Sequence, residues 1–481
     1  MLRTNTPRPS IAAAPKCLRP RLDGHNAARL LRESMVMSRF FLPLVLALVL
    51  LAAAPAARAE LCTVDAVPAA TLLLPYFEVD LVNSDCVNTL FSVNNARADA
   101  TLAHVTLWTD WSQPTIDFDI FLTGYDVVTV NMRDVFLGNI PITADAQSDP
   151  NDTISPHGGE YGSHPSWDAS FTAAPNCINF FPFFHNPVIN GFRLDLLVQG
   201  HTGKPVQFYG GRCVGADHGD GIARGYLTID DARRCGLEDP TMDVYFGGAD
   251  PVATNDNQLW GDFFLVDPVN GFAIGEPMVH IEADAAIAPP TGYTFYGRYT
   301  SPTGDDQREP LVTSWAVRYL NGGAFTGGTD LLVWRDSTTN NQGNGFTCGV
   351  GPNWLPLNET EVVAFDEQED AVELCFSGPG GVISPPDPGT DPACFPLETQ
   401  RVHVGTGDLD PPYNFGWMAL NFNLNDVGVT GDVDFGTRGD IAQSYVIAHH
   451  SASGRFAVGF SAVALSSACD DVSPLLGTGL P

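Results

Sequence analysis

Carboxylates are the side chains with the greatest capacity for chemistry in this sequence. Asp117 and Asp119 would share one face of an alternating strand, Asp366-Glu-Gln-Glu-Asp370 is a run, and Asp470 and Asp471 are adjacent. Two carboxyl groups held several ångströms apart across a cleft can hydrolyse a glycosidic bond, a separation that spacing along a chain does not define. With 56 Asp+Glu in 481 residues, any chosen pair is first of all solvated surface. Other constellations are missing: there is no His-Glu-x-x-His, no Gly-x-Ser-x-Gly elbow and no phosphate-binding glycine loop ending in Lys-Ser/Thr. His449 and His450 are neighbours, which on a strand turns them to opposite faces. Asp217-His-Gly-Asp-Gly221 has the look of a calcium loop, but with Gly221 as sixth residue Ala216 stands first and Leu227 twelfth, where Asp and Glu are needed. Beyond residue 59 the only lysine is Lys204, in Thr202-Gly-Lys-Pro205. No residue is therefore assigned as catalytic or cofactor-binding, and no cofactor is expected. Calcium at oxygen-rich loops is the one ion left open, without named ligands.

Charge narrows the partners. The formal net charge is −32, and with residues 1–59 set aside the chain keeps 54 acidic and 15 basic side chains. Such a surface repels phosphate backbones and anionic headgroups, which excludes nucleic acid. At 44% hydrophobic and 17% charged, the composition is that of a folded protein. Arg39 precedes the apolar run Phe40–Ala54, and Ala57-Arg58-Ala59 supplies a small-x-small cleavage site, the pattern of a secretory signal peptide. The Arg- and Pro-rich residues before Met35 read as lying upstream of the true start, at Met35 or Met37, with a long n-region as the alternative. Glu60 stands where a lipobox preceding Cys62 would need a small residue, and no later segment reaches the roughly 20 apolar residues of a membrane helix. The expected location is secreted or periplasmic, without membrane insertion.

Nine cysteines follow the leader, widely spaced and with no Cys-x-x-Cys pair, which in an oxidising compartment reads as structural disulfides. Neighbour pairing suggests Cys62–Cys86, Cys213–Cys235, Cys348–Cys375 and Cys394–Cys469, leaving Cys177 over; sequence leaves the connectivity open.

The elements that must position these groups are β-strands. Ala103–Thr109, Asp117–Leu122 and Asp126–Met132 alternate with period two. Asp267–Phe272 reads as a hairpin turn, Asp230–Cys235 as a short helical turn with acids at its positive end, and Gly416–Phe422 and Arg455–Val463 as further strands. Asp145–His164, Ala285–Thr291 and Gly378–Gly389 read as loop and connectors. A repeat is expected, aligning Thr89–Val93 with Thr313–Val317, Trp108 with Trp334, and Leu122–Asn131 with Leu357–Asp366, both Trp rings being buried. The fold class is mainly β: tandem antiparallel β-sandwich domains, immunoglobulin-like, with long loops and few short helices. The segments are a leader over 1–59 (signal peptide 35–59), a first sandwich repeat over 60–145, a central β-rich region over 146–290, a second repeat over 291–377, and a linker with C-terminal β segment over 378–481.

Cys62–Asp80 (CTVDAVPAATLLLPYFEVD), Asn88–Asn95 (NTLFSVNN), Asn255–Asp262 (NDNQLWGD) and Gly454–Phe460 (GRFAVGF) resemble a group of uncharacterised secreted bacterial proteins. The likeness spans most of the chain after the leader and implies an exported bacterial protein, with nothing implied about chemistry. The functional expectation is a binding or cell-envelope structural module with a protein or glycan ligand. The alternative is a secreted carboxylate-dependent hydrolase of polysaccharide, with Trp111, Trp260 or Trp354 lining a groove.

Overall fold

Among the described residues, period-two runs with one apolar face become antiparallel strands. The computed structural model describes residues 66–122, 124–140, 189, 191–285, 294–300, 305–337, 344–357, 359, 361–375, 394–422 and 443–465, all within a unit spanning Ala59–Pro481. The loop expected at 145–164, the connector expected at 378–389 and most of the connector expected at 285–291 lie outside the described residues.

In the first half, β1 (Thr71–Asp80), β3 (Thr101–Trp108), β4 (Pro114–Leu122), β6 (Ile222–Ala232) and β9 (Val279–Ile281) form a five-stranded sheet in the order β4-β3-β6-β1-β9. Facing it, β2 (Asn88–Asn95), β5 (Val127–Asn131), β7 (Leu259–Asp267) and β8 (Phe272–Pro277) form a four-stranded sheet in the order β5-β2-β7-β8. In the second half, β10 (Ser314–Leu320), β12 (Glu361–Phe365), β13 (Ala371–Glu373), β15 (Phe415–Asn421) and β18 (Val463–Ala464) form the sheet β13-β12-β15-β10-β18. Its partner is β14-β11-β16-β17, built from β11 (Gly328–Arg335), β14 (Thr399–Val404), β16 (Ser444–Ala452) and β17 (Phe456–Ser461). The protein is thus mainly β, in tandem antiparallel sandwiches. Within each half β1 and β2, or β10 and β11, fall on opposite sheets, whereas the first two strands of an immunoglobulin sandwich share one.

Adding nine to each strand number of the first half reproduces both sheets of the second, order for order. The correspondence expected from sequence is out of step. It laid β2 on β10, β3 on β11 and β5 on β12, each pair belonging to non-equivalent sheets. Short alternating strands ending in an aromatic look alike whichever sheet they join. Trp108 and Trp334 are both buried, at 1% and 4% exposure, but occupy different strands of the common order. Nor do the expected segment boundaries separate sheets. β6 inserts between β3 and β1 across the 145/146 boundary, and β14, β15 and β16 pair with strands that precede residue 378.

The inner sheets carry most of the core. β1 packs on β2 and β7 on one side and on β11 and β14 on the other, and every residue of β1 except Asp80 is buried. The four-stranded and five-stranded outer layers, β5-β2-β7-β8 and β13-β12-β15-β10-β18, show exposed side chains on alternate positions. Edge strands β8 and β17 lie beside each other, each limiting access to the other's edge. The β7–β8 hairpin closes at the Asp267↔Phe272 pair, where a turn was expected.

Asp230–Cys235 is not a helical turn: β6 continues through Ala232. Asp230 and Asp231 are buried acceptors instead, Asp230 receiving the hydroxyls of Tyr245 (2.7 Å) and Tyr296 (2.8 Å) and Asp231 the amide of Gln258 (2.8 Å). Arg308, fully buried, ion-pairs with Asp230 at 3.3 Å and lies over the Phe246 and Tyr296 rings. That pairing pins the segment linking the halves onto the first sandwich. The helix α1 (Met132–Phe136) follows β5, and α2 (Gly191–His201) follows later; α2 has no marked amphipathic period and was not anticipated.

The disulfides differ from neighbour pairing. Cys213 joins Cys348, and Cys375 joins Cys394, which rules out Cys213–Cys235, Cys348–Cys375 and Cys394–Cys469. Cys235 is also disulfide-bonded. Cys86 is a free thiol, accepting from Asn83 Nδ2 at 3.0 Å, so Cys62–Cys86 fails as well. Cys375 and Cys394 are consecutive cysteines 19 residues apart, but Cys213 and Cys348, 135 apart, are joined only by folding, which shifts the frame of the pairing. Cys62, Cys177 and Cys469 lie outside the described residues.

Candidate binding groove

The outer face of β5-β2-β7-β8 carries a cavity of about 740 Å³ lined by Leu90, Phe91, Ser92, Thr129, Val130, Asn131, Asp134, Asn139, Ile140, Asp262 and Phe264. Strand pairing sets its floor in rows. Asn131, Leu90, Phe264 and Gly275 lie opposite one another across the four strands; Thr129, Ser92, Asp262 and Pro277 form the next row; Val127, Asn94 and Trp260 form the third. Side chains on one strand face recur every second residue, so Trp260, Asp262 and Phe264 project together. Phe264 is 45% and Trp260 40% exposed. Opposite Phe264 is a glycine: a Cβ on Gly275 would lie 2.5 Å from Phe264 Cε1, so only a hydrogen there lets the ring keep its place.

One wall is α1 and the turn after it. Asn131 caps the helix, its Oδ1 accepting from Arg133 N (3.0 Å) and from Asn88 Nδ2 (2.9 Å). Asn139 N donates to Asp134 O at 2.8 Å, drawing the turn back to the helix. The Arg133 guanidinium is spent on carbonyls of Asp80, Ser84, Cys86 and Val87 and does not line the cavity. On the floor, Ser92 Oγ donates to Asp262 Oδ1 (2.8 Å), and Asn94 Nδ2 reaches Ser92 Oγ (3.1 Å) and Trp260 O (3.1 Å). The bond from Ser92 occupies one oxygen of Asp262, and the face is left a mix of ring, hydroxyl, amide and carboxylate.

Of the tryptophans expected at a groove, only Trp260 takes part, beside the cavity. Trp111 is buried against Phe346, and half-buried Trp354 donates Nε1 to Glu398 at 2.9 Å. Asp262, Phe264 and Asp134 were not singled out from sequence. The Trp-x-Asp-x-Phe spacing of β7 is the signal that could have found the first two, because it sets an acid between two rings on one face.

The other acids go elsewhere. Asp117 and Asp119 do share a face, opposite Thr106 and His104. His104 Nδ1 pairs with Asp119 at 2.7 Å. Burial opposes the charge of His104, and the neighbouring Asp119 outweighs it, pushing the imidazole up to about 9. Burial pushes the Asp117 carboxyl up to about 7 against the pull of His104. These groups lie on β3 and β4 of the first sandwich and do not line the cavity on its outer face. His449 and His450 turn to opposite faces, toward Asp330 and Thr329 respectively. Lys204 is ion-paired with Asp217 at 2.7 Å. Among the described residues no group of three or more His, Cys, Asp or Glu is placed to hold a metal ion, and no helix is long and apolar enough to cross a membrane.

The opposite outer sheet has its own aromatic face. Phe365 and Trp417 stack at 4.4 Å with 11° between their planes, Arg318 lies opposite Trp417, and Phe415 is exposed. Two rows away burial, then Glu373, pushes the Glu361 carboxyl up to about 7.

No protein-family model matches the chain, and no curated protein or solved structure does.

Proposed function

We propose that this is an exported binding module of the cell envelope or extracellular medium that holds a glycan on the outer face of β5-β2-β7-β8. The observation that carries this reading is the alternation of Trp260, Asp262 and Phe264 along one face of β7, the last two lining a cavity of about 740 Å³. Exposed rings offer flat apolar faces to the C–H side of a sugar, and Ser92, Thr129, Asn131 and Asp262 offer fixed hydrogen-bond partners around it. Export is supported by the leader pattern and by disulfides at Cys213–Cys348 and Cys375–Cys394, bonds rarely kept in a reducing cytosol. The shared strand order supports an origin of the halves by duplication, and the resemblance to secreted bacterial proteins supports a bacterial source. The test is retention of the full chain on insoluble polysaccharides. Wild type should be retained on at least one, and Phe264→Ala and Trp260→Ala should each weaken retention about tenfold. Retention of neither wild type nor variant, or equal retention of all three, would reject the site.

One observation favours a second reading, polysaccharide hydrolysis. Glu361, pushed up to about 7 by burial and then Glu373, on the same strand as Phe365 and two rows from the Phe365–Trp417 stack, has the protonation behaviour of a general acid. Release of reducing ends that Glu361→Gln abolishes would establish it; no release from any retained polysaccharide would dismiss it.

A further inference from the structure

Resting on the glycan-binding reading of the same groove, we infer that its ligand is cationic: a saccharide bearing a free amine, of the glucosamine class. Two carboxylates, Asp262 on the floor and Asp134 on the wall, line the cavity, and no Lys, Arg or His does. Arg133, on the same helix as Asp134, is turned away and held by four backbone carbonyls. Asp262 receives a neutral partner, the Ser92 hydroxyl, so its charge is not consumed within the protein by any ion pair described for it. The surrounding field has the same sign, since the chain beyond residue 59 keeps 54 acids against 15 bases. An anionic sugar such as a uronate would meet like charge at the floor, at the wall and on approach.

The remaining lining groups fit the rest of such a ligand. Phe264 presents an exposed ring for the sugar face or for the ammonium itself, and Thr129, Asn131 and Asn139 present neutral donors and acceptors for hydroxyl groups. An ammonium that reaches Asp262 makes a charge-assisted hydrogen bond, stronger than the neutral bond an N-acetyl group can make there.

Calorimetric titration of the full chain with three tetramers, of glucosamine, N-acetylglucosamine and galacturonate, at about pH 6 where amines stay charged separates the possibilities. The glucosamine tetramer should bind about tenfold or more tighter than the N-acetylated one, and the galacturonate tetramer should not bind. Asp262→Asn combined with Asp134→Asn should remove that preference, bringing the glucosamine tetramer down to the affinity of the N-acetylated one, while a denaturant unfolding transition like that of wild type shows that the double variant is folded. Equal affinity for the two glucosamine-based tetramers, with Phe264→Ala weakening both, would overturn the cationic assignment and leave the glycan reading standing. Tightest binding of galacturonate would overturn the assignment as well. If no tetramer binds and Phe264→Ala changes nothing in the polysaccharide retention test, both readings fall together.

Discussion

Thr89 and Thr329 hold the same place in the two halves: each is the second residue of its strand, and each hydroxyl bridges the backbone of the strand before it. Thr89 Oγ1 accepts from Glu78 N (3.1 Å) and donates to Glu78 O (3.0 Å), while Thr329 Oγ1 accepts from Leu320 N (2.8 Å) and lies 3.3 Å from Leu320 O. The bridge ties the first strand of one sheet to the second strand of the facing sheet, a stitch that a sandwich needs where the chain changes layers. Valine keeps the shape and removes the bridge. Thr89→Val and Thr329→Val should each destabilise the protein by about 1–3 kcal/mol, the cost of leaving buried backbone groups unpaired. Denaturant unfolding checks this; a loss at one site and none at the other would break the equivalence.

Arg308 should be among the residues least tolerant of change. It is fully buried and faces Asp230, which would be left as a buried, uncompensated charge. Arg308→Met should cost about 3–5 kcal/mol. Arg308→Lys should cost less, since the charge survives while the forked geometry does not. Thermal unfolding of the two variants should preserve that order.

Asp117 makes the fold sensitive to base. Its folded value near 7 lies above the ordinary carboxylate value near 4, so its protonated form is the one the fold favours. Its contribution is complete below about pH 4 and is lost as pH rises through about 7. Asp117→Asn should therefore match wild type near pH 4 and exceed it near pH 8 by roughly 1–2 kcal/mol, a figure reduced for partial solvent access. Asp231, raised to about 7 chiefly by burial, acts with the same sign, so the variant flattens only part of the profile. A variant less stable than wild type at pH 8 would contradict the assignment.

The Cys213–Cys348 bond closes 135 residues of sequence and ties the first half to the second; Cys375–Cys394 closes 19. Loop-closure entropy makes the longer bridge the more stabilising, by roughly 1–2 kcal/mol. Cys348→Ser should lower the unfolding midpoint more than Cys394→Ser. Non-reducing peptide mapping should recover both bridges and find Cys86 alkylated; a peptide joining Cys213 to Cys235 would refute this pairing.

The fold class was legible because the signal for it is local. Ala103–Thr109 and Asp117–Leu122 alternate as written and lie in β3 and β4, and the Asp267–Phe272 turn closes the expected hairpin. What failed was long-range. The β6 insertion between β3 and β1 joins residues more than a hundred apart, and no period-two pattern encodes which sheet a strand will join. The same blindness put the repeat out of step and missed the long-range partner of Cys213. Helix α2 escaped because its apolar residues are not confined to one stripe. The groove was half legible: Trp260 stood out as a ring, but Asp262 gained meaning only when Ser92, Leu90 and Asn131 were laid beside it by register.

Amide hydrogen exchange with and without the saccharide tetramer that binds most tightly tests the location of the site most directly. Ligand-dependent protection should be confined to Asn88–Asn95, Val127–Ile140 and Leu259–Asp267, the strands and turn that build the groove. Phe264→Ala should abolish it at the same ligand concentration. Protection centred instead on Glu361–Phe365 and Phe415–Asn421, or absent at saturating ligand, would contradict a binding site on the outer face of β5-β2-β7-β8.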